Sequence, residues 1–127
     1  MHLHLKYDLE AKPHDGWTID DVDPGVREAV AELRKMNYAT IDSGDGRTKP
    51  PLERTMPGAH IHIVAPPWAN GAFDYARRIQ LWAERSESWP YTVAVDVSMT
   101  LGEDRSLVTL REVPTQEQLD EHWERDL

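Results

Sequence analysis

Residues 91–99, YTVAVDVSM, alternate large apolar side chains with small or polar ones. Only an extended chain, whose side chains repeat every second residue, can turn one of these sets toward a core and the other toward water. Tyr91, Val93, Val95, Val97 and Met99 share one face; Thr92, Ala94, Asp96 and Ser98 share the other. The turn LGEDR follows, and SLVTLREV (106–113) supplies a second extended run, so the pair predicts an antiparallel hairpin. A sheet of this kind is apolar on one side only and needs helices to cover that side.

The helices are legible. In DVDPGVREAVAELRKMN, Asp23 suits an N-cap and Pro24 the first helical position, while Val26, Ala29, Val30, Leu33 and Met36 recur at helical spacing. A second helix is predicted over 71–87, with Asn70 as N-cap and Ala72, Tyr75, Ala76, Ile79, Trp82 and Ala83 along its apolar stripe. Thr115 and Gln118, three apart after Pro114, form a capping box that opens an acidic tail helix over 114–127, with Leu119, Trp123 and Leu127 on one side. Strict alternation over 1–8 (MHLHLKYD) predicts a further strand; YATI (38–41) and AHIHIVA (59–65) predict two more. The whole chain, 1–127, is therefore expected to be a single α+β domain. Its expected form is one layer of mostly antiparallel or mixed sheet with two helices on one face, in a ferredoxin-like arrangement, plus a short C-terminal helix.

Composition removes several function classes. A formal charge of −9, from 14 basic and 23 acidic residues, argues against general nucleic-acid binding, which draws on clustered Lys and Arg. No run approaches the ~20 apolar residues of a membrane helix, and the alternating N-terminus is unlike a secretory signal. The expected setting is cytoplasmic. The absence of cysteine excludes disulfides, thiolate metal sites and a cysteine nucleophile.

The polar residues that carry chemistry fall in two places. On the strand GAHIHIV, His60 and His62 share a face about 7 Å apart at Cα, near enough for both imidazoles to reach one divalent metal, with Asp96 on the polar face of its own strand as the carboxylate ligand. Without metal, the same pair suits general acid–base work; as solvated strand residues they need no role at all. His2 and His4 repeat the pattern at the N-terminus. The second place is TIDSGDGRTK (40–49), at the head of the 17-residue stretch 42–58 with three Gly and three Pro. Gly44 and Gly46 allow close backbone approach to an anion, Arg47, Thr48 and Lys49 supply charge and donors, and Asp42 and Asp45 suit a base or a cation ligand. Arg54 is the further candidate for holding an anion. The spacing matches neither a P-loop nor an EF-hand.

The segment VAELRKMNYATIDSGDGRTK, followed by a strand opening on His, resembles a group of small uncharacterised phage and prophage proteins. In these, a helix leads into T-x-D-S-G-D-G, then a loop with a Lys, then a strand beginning with His. The resemblance spans about residues 24–65. It implies a phage or prophage setting in a host cell and draws attention to Thr40, Asp42, Ser43, Asp45, Lys49 and His60; it implies no particular activity. A likeness to two-histidine phosphoesterases fails at His4 and His62, which stand where a Thr or Ser is needed.

The expectation from these residues is a polar site, built from the DSGDG loop and the HIH strand, that binds a small anionic, nucleotide-like ligand and either hydrolyses it or sequesters it without turnover. His60, His62, Asp42 and Asp45 would form its reacting part, and Thr40, Ser43, Gly44, Lys49 and Arg54 its binding part. The alternative is a non-catalytic protein, a phage accessory or anti-defence factor, that acts on a host protein through its acidic surface and tail helix. A homodimer is open on either reading.

Overall fold

A computed structural model describes residues 21–50, 53–54, 56–98, 101 and 105–124. The predicted strand over 1–8, with His2 and His4, lies outside the described residues, as does the end of the tail.

The first helix, α1, spans Pro24–Lys35 and begins as the sequence predicts, with Asp23 at the N-cap position and Pro24 in the first turn. Asp23 does not cap through its side chain, however; its Oδ2 accepts instead from the N–H of Asp45, 3.1 Å away. Val26, Ala29, Val30 and Leu33 are buried. Met36, expected on the same stripe, is 41 % exposed because the helix has already ended. Asn37 turns into the left-handed region (φ 72°), its N–H reaching the Arg34 carbonyl at 3.0 Å and that of Tyr38 the Leu33 carbonyl at 3.0 Å. This is a Schellman closure with Asn in the place more often held by Gly.

Four strands follow in one antiparallel sheet: β1 (Ala39–Gly44), β2 (His60–Ala65), β3 (Ala94–Ser98) and β4 (Ser106–Arg111), in the order β1-β2-β4-β3. Between β2 and β3 the chain makes a short 3-10 turn and the helix α2 (Ala72–Arg85); a last helix, α3 (Gln116–Glu124), follows β4. The N-cap position of α2 is Gly71 (φ 104°) rather than Asn70, which belongs to the preceding turn. The class is the α+β single sheet expected. Its connectivity is particular: β2 and β3 are both antiparallel to β4, so they run parallel to each other with α2 joining them and β4 inserted between. The predicted hairpin is thus β3–β4, and its return strand fills the middle of the sheet.

α1 packs over β1 and β2, and α2 over β3 and β4. Ile61, Leu110 and Val95 form one row across the covered face, and Ile63, Val108 and Val97 the next. Ile61, Ile63, Val108 and Leu110 are fully buried against Val26, Leu33 and Ile79 from the helices. At about 25 cal/mol per Å² of apolar surface, this shared core is the main stabilising term. Alternation then sends His60, His62, Thr109, Arg111 and Asp96 to the opposite face. Among the described residues, no helix is long and apolar enough to cross a membrane.

Strand β1 runs further than the predicted YATI: Asp42, Ser43 and Gly44 are still paired with β2. It also carries an irregularity. Thr40 lies opposite Ile63 and Asp42 opposite His62, so two residues of β1 are spanned by one step of β2. The extra residue, Ile41, is a β-bulge, which changes the face that following side chains take. Thr40 consequently faces the helices, while Asp42, two residues on, faces the opposite way.

Candidate functional site

The cross-strand neighbour of Asp42 is His62, and that of Gly44 is His60. The two imidazoles stand side by side, ring centroids 5.0 Å apart. The Asp42 carboxylate reaches toward both: Oδ2 lies 3.9 Å from His60 Nε2 and 4.0 Å from His62 Nε2. The side chains differ sharply in setting. His60 is 3 % exposed, His62 22 % and Asp42 60 %, so the group opens to solvent on the carboxylate side.

Gly44 makes room for this packing. A Cβ there would sit 3.0 Å from His60 Cε1, closer than side chains ordinarily tolerate. Neither ring nitrogen of His60 has a hydrogen-bond partner, although both are buried. His62 is oriented by its neighbour on β4: Nδ1 lies 2.9 Å from Thr109 Oγ1. Burial pushes the His62 imidazolium pKa down, and the adjacent His60 ring adds to this against the pull of Asp42. The His60 imidazole, in turn, holds the Asp42 carboxyl below its ordinary value, outweighing its partial burial.

Residues 45–49 and Arg54 are tied to this end of the sheet by a set of specific bonds. Asp45 is 2 % exposed. It accepts from the N–H groups of Gly25 (3.0 Å), Arg47 (2.8 Å) and Thr48 (2.7 Å) and from the Thr48 hydroxyl (2.5 Å). Gly25 must be glycine for this approach, since a Cβ would come within 2.6 Å of Asp45 Cβ. Arg47 then forms a two-pronged pair with Glu112, at 2.9 and 2.8 Å, with its guanidinium 4.7 Å from the centre of the Tyr91 ring. Glu112 also accepts from the Ala59 N–H at 3.1 Å, one residue before β2 begins. Arg54 donates to the Lys49 carbonyl at 2.7 Å and to Glu121 of α3 at 3.2 Å. The capping box forms as predicted: the Thr115 N–H donates to Gln118 Oε1 at 2.7 Å, and the Gln118 N–H to Thr115 Oγ1 at 3.2 Å.

Two small hollows meet at Asp42. One, of about 60 Å³, is lined by Asp42, Gly44, Lys49, Arg54, Met56 and His60. The other, of about 130 Å³, is lined by Asp23, Thr40, Asp42, Ser43 and Lys49 among others. A larger groove of about 560 Å³ runs between α2 and the edge strand β3, beside Phe73 and Leu81, remote from the histidines.

The structure brings together Asp42, His60 and His62, with Gly44, Ser43, Lys49 and Arg54 around them. Two predicted members do not join. Asp96 lies in the same row as His62 but beyond Thr109, and its carboxylate is taken by Arg111 Nε at 2.5 Å; the carboxylate beside the histidines is Asp42. Asp45 is turned away into its own shell of donors and organises the loop. Thr40 faces α1, where Arg34 donates to its hydroxyl at 2.7 Å, though it still borders the larger hollow. Residues not singled out from sequence are Thr109, Glu112 and Met56; Asp23 reads from sequence only as a helix cap, and Arg47, expected to offer charge to an anion, is taken up by Glu112. Thr109 had a signal, as the one polar residue between apolar neighbours in SLVTLREV; the others are brought in by loop and end contacts that no local pattern announces.

Comparison with known proteins returns no match: no family model, no curated protein and no solved structure corresponds to this chain.

Proposed function

We propose that the site at Asp42, His60 and His62, which opens to solvent on the carboxylate side, binds, and hydrolyses, a small anionic ligand whose charged end is about the size of a phosphoryl group. The observation that carries this reading is the convergence of Lys49 and Arg54 with the Asp42–His60 pair around one hollow. The hollow's volume sets the scale. Sites that enclose drug-sized ligands measure roughly 300–1,000 Å³, whereas these hollows hold one small group. A nucleotide-like ligand would place its phosphate inside and its remainder outside, on the solvent side of Asp42. His60, His62 and Asp42 form the reacting centre, Lys49 and Arg54 the anion-holding rim, and Gly44 and Ser43 the near wall. The resemblance to phage and prophage proteins suggests where such a ligand is met, inside an infected cell.

The rival reading, an interaction protein acting through the tail helix, gains less support. Arg54–Glu121 and the 3.5 Å contact of Gln118 with Glu112 turn α3 back onto its own domain.

Titration with inorganic phosphate and pyrophosphate, followed by amide chemical shifts, tests the proposal. Shifts are expected first at residues 42–49 and 60–62, and Lys49→Glu is expected to weaken binding at least tenfold with an unchanged melting temperature. Unperturbed spectra at millimolar ligand, or binding indifferent to Lys49→Glu, would refute it.

A further inference from the structure

The hollow beside His60 has a charge problem. Asp23, Asp42 and Glu53 border it against Lys49 and Arg54, in a chain already at −9. An anion is held more firmly in such a place when a further positive charge stands beside Lys49 and Arg54. The buried His60 has a second, independent deficit: both ring nitrogens are out of water and without a hydrogen-bond partner. A buried polar group left unsatisfied is destabilising, and native structures rarely leave one so without a reason.

We infer that Asp42 Oδ2, His60 Nε2 and His62 Nε2 are the protein ligands of one first-row transition-metal dication of the Zn²⁺, Fe²⁺ or Mn²⁺ kind. Ligand atoms of the three side chains lie within 4.8 Å of one another. Two ligands on a tetrahedral Zn²⁺ at about 2.0–2.2 Å stand about 3.3–3.6 Å apart, and the carboxylate lies 3.9 and 4.0 Å from the two imidazoles. These separations exceed a hydrogen bond, and a small rotation of the exposed Asp42 side chain closes them onto a shared cation. Two neutral imidazoles and one carboxylate are the donor set of a borderline ion; Mg²⁺ and Ca²⁺ prefer oxygen alone.

Thr109 completes the arrangement. With Nδ1 protonated and donating to Thr109 Oγ1, His62 presents the lone pair of Nε2 on the Asp42 side. That is the hydrogen bond which commonly fixes a metal-bound imidazole. Three protein ligands leave coordination positions open on the solvent side of Asp42, beside Lys49 and Arg54. A dication there reverses the local charge and adds to what Lys49 and Arg54 offer an anionic ligand. The metal assignment stands on the three side chains and does not require that the anion-binding reading be right.

The test is Co²⁺ titration of the full chain, followed by its visible absorption, with Zn²⁺ competition measured by calorimetry. One equivalent per chain is expected. His62→Ala and Asp42→Ala should each weaken Co²⁺ binding at least tenfold, Thr109→Val by roughly 10–100-fold, and Asp96→Ala not at all. His60 is buried, so His60→Gln is read beside a circular-dichroism spectrum; the two exposed-side variants decide the matter if it misfolds. No saturable Co²⁺ or Zn²⁺ binding, or binding unchanged by both His62→Ala and Asp42→Ala, overturns the inference. So does loss of binding in Asp96→Ala with Asp42→Ala unaffected. The phosphate titration is a separate readout: metal binding without phosphate affinity removes the proposed ligand and leaves the metal site standing.

Discussion

Asp42 and Asp45 are three residues apart in one short motif, yet the fold gives them opposite work, and paired substitutions expose this. Asp45→Ala deletes an acceptor that holds three backbone N–H groups and one hydroxyl at 2.5–3.0 Å, in a site 2 % exposed. A hydrogen bond to a charged group contributes about 1.5–3 kcal/mol net, and four that share one carboxylate do not add, because the loop relaxes when it is lost. The expected cost is about 3–5 kcal/mol. With a urea m-value of about 1.5 kcal/mol per M, the unfolding midpoint falls by roughly 2–3 M. Asp42→Ala removes a side chain that is 60 % exposed, and a change of under about 0.5 kcal/mol is expected. Asp45→Asn, which keeps one acceptor oxygen, should fall between. Urea unfolding followed by Trp fluorescence measures all three. A cost below about 1 kcal/mol for Asp45→Ala, or an equal cost for Asp42→Ala, would refute the division of labour.

Acid should weaken the fold through Asp42, depressed beside His60, and through three further carboxylates. Hydrogen bonds from Ser88 and Trp82 hold Glu32 below its ordinary value. Burial pushes Asp45 and Glu112 up, but the donors around Asp45 and the Arg47 guanidinium beside Glu112 outweigh it, and both end depressed. A carboxyl depressed in the fold binds fewer protons than in the unfolded chain, so its contribution is complete above the unfolded values near pH 4 and is lost as pH falls through the folded ones. Melting temperatures between pH 7 and pH 2 should decline below about pH 4, and Glu32→Gln should flatten that decline; an identical profile in the variant counts against the assignment. Gly46→Ala should cost at least about 2 kcal/mol, because φ is +69° and a Cβ would meet the Gly58 backbone at 2.7 Å. Thermal unfolding reads this directly, and a neutral result would mean the two loop ends do not approach as described.

Much of the architecture can be read along the chain because the signals are local. Val26, Ala29, Val30 and Leu33 repeat at 3.6 residues, Val93, Val95 and Val97 at 2, and Thr115 and Gln118 cap a helix three residues ahead; each pattern follows from backbone geometry and the need to bury one face. The same alternation places His60 and His62 on one side of a strand, so half of the candidate centre is legible without any fold. The other half is not. Which carboxylate joins the histidines depends on strand order and register: β4 stands between β2 and β3, which carries Asp96 away to Arg111. The bulge at Ile41 turns Asp42 to the histidine face and Thr40 to the helices. Had β1 paired without that extra residue, Asp42 would lie opposite a core-facing neighbour, for a one-residue slip exchanges the two faces of a strand. Asp45 likewise became a loop anchor only because Gly25, twenty residues earlier, brings its N–H against the carboxylate. Local periodicity determined which side chains leave the core together. The pairing of strands distant in sequence, fixed by burial of Ile61, Ile63, Val108 and Leu110, decided which of them meet.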